Sequence, residues 1–454
     1  MAWLLPAIAV LLAPLVTNDL AYLIPIGDRI ADTGTIPHHD VLTYTVAGQP
    51  WVFQQWLAAV VFGRLHAWIG WQGAVVMRAV LVAISFGTTY RRTRTASRNP
   101  TVAGCLVFGC FLSVAAFPGT LELRPQLLVA PLFVLVCWLI DGRTVHPRRT
   151  WWVVPVAIAW ANLHGSVLLV AVLAVLALIG DLVRRRRTAS MMAAITVGAL
   201  MAPMLTPWGW RTYAYIWDVA SSPVVRAIDE WRPIMVRWPA GLVFGVMVIA
   251  LGVVLWRRRT APFDVESCLG LIVVTALVLI SGRNVIWWAL YVPPVVGRLT
   301  GSRERSTSGS ETTERMIAVA LVALLALGTW RVLVAERDED LLADAPPGVT
   351  RALADRTDLG RVFAADWAGW FEYTFPGTPM FVDARAELFP AEVWDSFFEV
   401  VTGGSDWRDV LSSWNVQVVI FDDTLHPALA SVIATDPGWR LAYADEDGRI
   451  YVRA

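Results

Sequence analysis

The sequence contains no lysine: all 37 of its basic residues are arginine, and 37 acidic residues balance them to a formal net charge of +0. That balance excludes the strongly basic face by which nucleic-acid binders neutralise phosphates. Charge of either sign is also scarce, at 16% of residues against roughly 25% in soluble domains. The four cysteines, Cys105, Cys110, Cys137 and Cys268, each lie in or beside an apolar run, and none has a CxxC or Cys/His spacing. They read as buried small hydrophobes, with neither a disulfide framework nor a zinc site expected. P-loop, GxGxxG, HExxH and GxSxG patterns are missing as well. Their absence argues against nucleotide-driven transport, zinc proteolysis and ordinary serine hydrolysis.

Hydrophobic residues fill the space, at 56% of the chain and a mean hydropathy of +0.56. Apolar runs lie near 1–17, 73–90, 101–117, 124–140, 151–163, 166–183, 190–206, 239–256, 265–281, 285–299 and 315–335. Runs of this kind imply an α-helical polytopic membrane protein with about eleven transmembrane helices. The first run has no basic leader and no small-x-small cleavage pattern, so it reads as a span and not as a signal peptide.

Arginine placement decides how segment 51–69 is read. If that segment lies along the membrane surface and the N-terminus is cytoplasmic, the cytoplasmic loops hold 18 arginines and the external ones hold 8. Had 51–69 spanned, every later loop would change side. The positive-inside bias therefore expects an interfacial helix at 51–69 and an external C-terminus.

Beyond residue 335 no span-length run occurs. β-prone stretches at 361–364, 380–382, 416–421, 440–443 and 449–452 alternate with helical patterns at 391–402, 407–414 and 428–435, as in a small α/β domain. The expected division is a transmembrane domain over 1–335, with its first external loop at 18–72, and an extracytoplasmic α/β domain over 336–454. Residues 301–314 read as a Ser/Thr-rich cytoplasmic loop. The 24 tryptophans suit aromatic belts at the membrane interfaces, or stacking on sugar or lipid.

The polar residues gather on the face assigned to the outside. Ionisable groups close to a membrane are costly and are functional candidates by default. The first external loop holds Asp19, Asp28, Asp32, Asp40, His38 and His39. Asp19 directly follows the first span, where a partly desolvated carboxylate can act as general base toward a hydroxyl. The alternative is that Asn18 and Asp19 merely cap a helix beginning near Leu20. Other external turns supply Glu122 and Arg124, Asn162 and His164, Asp229, Glu230 and Arg232, and Arg283 with Asn284. Arginines at that level suit a phosphate or pyrophosphate group, which a guanidinium grips with paired hydrogen bonds.

Several strings extend this pattern. They are Asp19, Gly27–Asp28, Gly34-Thr-Ile-Pro37-His-His-Asp40, Tyr44–Thr45, Gly48, Pro50–Trp51 and Trp56–Leu57 in the first loop. Further on come Arg124–Pro125, Trp160-Ala-Asn162-Leu-His164-Gly165, Pro207-Trp-Gly209-Trp, Glu230–Trp231 and Arg283. The tail adds Val382-Asp383-Ala-Arg385-Ala-Glu387 and Pro437-Gly-Trp439-Arg440.

Across nearly its whole length the chain resembles the GT-C superfamily of integral-membrane glycosyltransferases, which includes protein mannosyltransferases and lipid A aminoarabinose transferases. It is most similar to a bacterial branch of mostly unassigned members. It departs from relatives that carry an aromatic pair and a histidine shortly after the first aspartate, having Ala21, Tyr22 and Leu23 there.

The resemblance implies a polyprenyl-phosphate-linked sugar as donor, transferred with inversion to a glycan, lipid or protein acceptor at the outer face of the bacterial cytoplasmic membrane. It implies interfacial helices in the first loop, Asp19 as catalytic base and Asp28 as the second candidate. Arg124 and Arg283 would bind donor phosphate, with Asn162, His164 and Glu230 lining the site and Asp40 counted among the substrate-binding residues. No ligand set for a metal is defined, although a divalent cation is compatible with the phosphate chemistry. Two other readings are a transporter or flippase for a lipid-linked sugar and a non-catalytic envelope scaffold that binds polyprenyl lipid.

Overall fold

The computed structural model describes residues 4–117, 119–257, 264–300, 311–356 and 359–454. Most of the Ser/Thr-rich stretch 301–314, with Arg303 and Arg305, lies outside the described residues, as do Arg258 and Arg259. The protein is predominantly helical with one small C-terminal sheet. It folds into two compact units. One comprises Met1–Pro14, Trp71–Ile216 and Arg226–Ala335; the other comprises Leu15–Gly70, Trp217–Val225 and Glu336–Ala454.

In the helical unit each apolar run carries a helix, among them Leu5–Leu12, Pro100–Ala115, Ala130–Asp141, Val153–Leu163, Leu168–Val183, Val265–Ile280 and Val285–Thr300. Local chemistry sets their starts. Asn99 accepts hydrogen bonds from the Thr101 and Val102 amides ahead of Pro100, and Asp264 accepts one from the Ser267 amide; both satisfy amides that a helix start leaves unpaired. Three described helices are long and apolar enough to cross a membrane: Trp56–Ser97, Gly165–Val183 and Pro239–Arg257. Five more apolar helices are shorter, including Pro100–Ala115 and Val265–Ile280.

The helix Trp56–Ser97 is interrupted at Gly70 (φ 66°, ψ −158°), a backbone conformation that only glycine adopts without strain. Residues 56–69 therefore belong to the second unit, and 71–97 to the helical one. On the latter, Arg78 is 1% exposed. It donates to the carbonyls of Val10, Ala13 and Pro14 and to Glu122. A guanidinium thus caps the C-terminal end of the first helix, where unpaired carbonyls concentrate partial negative charge.

The second unit is built around a four-stranded sheet: β1 (Val362–Ala364), β2 (Val418–Phe421), β3 (Trp439–Ala444) and β4 (Arg449–Arg453), in the order β1-β2-β4-β3. β1 and β2 are parallel, whereas β4 runs antiparallel to both of its neighbours. Four of the five β-prone runs supply these strands; the fifth contributes only bridges at Met380, to Val362 and Thr43.

The bridge to Thr43 brings the first loop into this unit. Tyr44 donates to the Met380 carbonyl, Met380 donates to that of Leu42, and Val46 is buried in the core with Phe363, Phe381, Val419 and Tyr451. Leu15 and Ala343 are joined similarly, through Leu15 N to Leu341 O and Ala343 N to Leu15 O. The loop helix Leu23–Thr33 approaches helix 56–69 so closely that a Cβ on Gly27 would lie 1.8 Å from the Ala59 carbonyl oxygen.

Candidate functional site

Helices of the helical unit carry charge at both ends. Before Ala130–Asp141 come Arg124 and Gln126, and before Val285–Thr300 comes Arg283. Arg124 hydrogen-bonds Glu230, and Arg283 pairs with the same carboxylate at 3.5 Å. Gln126 ties Arg283 down further: its carbonyl accepts from Nε and Nη2 at 3.3 and 3.0 Å, while its amide donates to the Arg283 carbonyl at 3.2 Å. The Arg283 guanidinium stacks 4.3 Å from the Trp231 ring, an arrangement that adds cation–π attraction. Two arginines therefore share one carboxylate, and all three side chains keep 19–20% of their surface exposed.

Burial pushes the Glu230 carboxyl up. The Arg283 and Arg124 guanidiniums outweigh that effect and hold it below the usual carboxylate range. His164 begins the turn Gly165–Val167, and its Nδ1 accepts from the Ser166 amide at 3.1 Å; its hydrogen therefore sits on Nε2. Burial, and secondarily the Arg283 charge, depress its pKa to about 3, so the ring is a neutral donor at physiological pH. Asn162 is nearly buried and donates to the Ile158 carbonyl at 2.9 Å. The structure thus joins Arg124, Glu230 and Arg283, with His164 electrostatically coupled to Arg283. Gln126 and Trp231 complete the cluster. Trp231 belongs to the Glu230–Trp231 string, whereas Gln126, two residues past Arg124, carries no signal of its own in the sequence.

The three aspartates lie in the second unit and occupy separate surroundings. Asp19 is on the short helix Asn18–Ala21, in its first turn. The residue at the cap position is Thr17, whose amide and hydroxyl donate to Asp344, so Asp19 lies within the first turn and not at the cap. Asp28 lies on Leu23–Thr33, 4.0 Å from Arg64. Burial raises its pKa, opposed by Arg64.

Asp40 is enclosed, accepting from the Thr43 amide and hydroxyl and pairing with Arg385 at 2.6 Å. Arg385 also bonds Asp383 and stacks 4.5 Å from Trp51. Asp40 thereby joins the loop to the sheet-bearing segment, and no part of its side chain reaches solvent. Among the described residues no group of three or more His, Cys, Asp or Glu side chains is arranged to hold a metal ion.

No protein-family model and no curated protein matches the chain.

Proposed function

We propose that the protein is a multi-pass membrane glycosyltransferase of GT-C type. In this reading it takes a sugar from a polyprenyl-phosphate-linked donor and transfers it to an acceptor hydroxyl at the outer face of the cytoplasmic membrane. Its membrane placement is supported by apolar side chains that face outward in helical register: Val76, Val80 and Ile84 on one helix, and Leu242, Val246 and Ile249 on another, all at least 46% exposed. Apolar surface that extensive is not left to water by soluble monomers. The N-terminus is then cytoplasmic and the α/β unit extracytoplasmic.

The observation that carries the reading is the arginine pair at Glu230. Two guanidiniums held by one carboxylate, a glutamine and an indole face are fixed in direction yet part-exposed, as a phosphate oxyanion requires. A neutral His164 beside them adds hydrogen-bonding capacity without a further charge.

In the reaction Asp19 takes the proton of the acceptor hydroxyl, whose oxygen attacks the anomeric carbon. The anomeric C–O bond to phosphate breaks with inversion. The electron pair leaves with the phosphate, whose charge the arginines stabilise. Because the donor is already activated, no nucleotide is consumed.

The test is transfer from radiolabelled polyprenyl-phosphate sugars in membranes that contain wild type or Asp19→Asn. Removal of a general base is expected to reduce transfer by about 10²–10⁴-fold while donor binding persists. If no donor in a broad panel gives Asp19-dependent transfer, the enzyme reading fails.

A further inference from the structure

The second unit contains an ion cluster with too few cations. Asp40, Asp383 and Arg385 have side chains 0–1% exposed, and Glu372 is 3% exposed. The Arg385 guanidinium bonds Asp383 through Nε and Nη2 and Asp40 through Nη2, while its buried Nη1 reaches no acceptor among the described residues. No donor among the described residues reaches either Glu372 carboxyl oxygen, although both are sealed from solvent. One guanidinium thus faces three carboxyl groups. Two buried carboxylates at close range cannot both stay ionised without a compensating charge, so one retains its proton.

Among the described residues, the side chain that Glu372 hydrogen-bonds is Asp383. Its helix, Ala368–Thr374, packs directly on Asn18–Ala21, the helix that bears Asp19. The buried Tyr22 is subject to the charges of Asp19, Glu387, Asp383 and Arg385. The groups bearing on Glu372 are therefore Asp383 and Arg385 from one segment and Asp40 from the first loop. Tyr22 feels Asp383 and Arg385 of this cluster together with Asp19 and Glu387.

We infer that Glu372 is kept as a neutral carboxylic acid that donates its proton to Asp383, and that this protonated pair is a positioning element for the helix carrying Asp19. The positioning role rests on the transferase reading above; the retained proton does not. Burial, reinforced by the Asp383 charge, raises the Glu372 pKa well above the usual carboxylate range. The sign follows. A group whose pKa is higher folded than unfolded stabilises fully below its unfolded value, and that contribution is lost as pH rises through the folded value. The second unit should therefore loosen on the alkaline side.

The experiment uses the full chain in detergent or liposomes, as wild type, Glu372→Gln and Glu372→Ala. Infrared spectra at neutral pH should show the carbonyl stretch of a protonated carboxyl in wild type and its loss in Glu372→Gln. The melting temperature should fall with rising pH in wild type and stay flat in Glu372→Gln, whose amide donates to Asp383 without titrating. A missing band, or the same alkaline decline in both proteins, overturns the proton assignment.

For positioning, Glu372→Ala should lower kcat by roughly a hundredfold, the scale of an ångström-sized misplacement, with donor KM unchanged and Glu372→Gln near wild type. Equal kcat in Glu372→Ala and wild type refutes the positioning role. If wild type itself transfers no sugar, the transferase reading falls, and the infrared and melting results still decide the proton.

Discussion

Arg143 and Arg124 stand at opposite ends of one helical stretch, and each binds carboxylate, yet their settings differ. Arg143 is 3% exposed and grips Asp181, itself 0% exposed, through Nε and Nη2; it also bonds Glu266 and the carbonyls of Ile140 and Ala177. Thr188 and Arg186 complete the Asp181 shell. Alongside, Arg92 and Arg298 close on Asp141. Around Arg143 the guanidinium's hydrogen-bonding capacity is spent on protein, while Arg298 and Asp141 beside it stay 40% and 38% exposed. At the other end, Arg124 and Arg283 divide one carboxylate and stay part-exposed. The residue types are the same; Arg143 is sealed among its partners, whereas Arg124 and Arg283 keep part of the fork within reach of solvent, as the proposed donor-phosphate role requires.

The largest effect expected from breaking this contrast is at the closed end. Arg143→Ala or Asp181→Ala removes the main partner of a buried charge, leaving Asp181 with Arg186 or Arg143 with Glu266, and should cost up to about 3–5 kcal/mol, seen as a marked drop in melting temperature in detergent. Arg124→Gln and Arg283→Gln should change the melting temperature little, because part-exposed pairs are worth ~1 kcal/mol or less. Each should instead weaken donor binding by about 1.5–3 kcal/mol, the worth of a charge-assisted hydrogen bond. A donor titration of both variants checks this; large stability losses at both ends alike would erase the distinction.

The smallest effect is a null one. With the His164 pKa near 3 and Glu230 held ionised, donor binding should be flat from pH 5 to 8. An acidic limb near the ordinary histidine value of about 6.5 that vanishes in His164→Asn would show that the ring carries a titrating charge.

Much of this layout is legible in residue patterns. The apolar runs mark the helices, and 361–364, 416–421, 440–443 and 449–452 mark the strands to within a few residues, because both depend on local periodicity. Arg124, Glu230 and Arg283 stand out singly, as charges beside long apolar runs. Their sharing of one site is implied only by the family resemblance, since more than a hundred residues separate Arg124 from Glu230 and no local rule pairs them. The helix Ala368–Thr374 escapes notice because its Trp, Phe and Tyr residues favour strands, and with it goes Glu372. Asp40 shows the opposite failing. A loop aspartate beside two histidines looks available, but its partner Arg385 lies at the far end of the sequence.

That separation has a consequence for how the protein is made. Asp40 and Val46 leave the ribosome more than three hundred residues ahead of Arg385 and the β4 strand, and β4 lies between β2 and β3. At ~5–20 residues per second of synthesis, the first loop waits on the order of tens of seconds with an unpaired acid and no core to join. During that interval it is exposed to chaperones and proteases. A premature stop anywhere before residue 449 would remove a central strand of the sheet and strand the loop that bears Asp19.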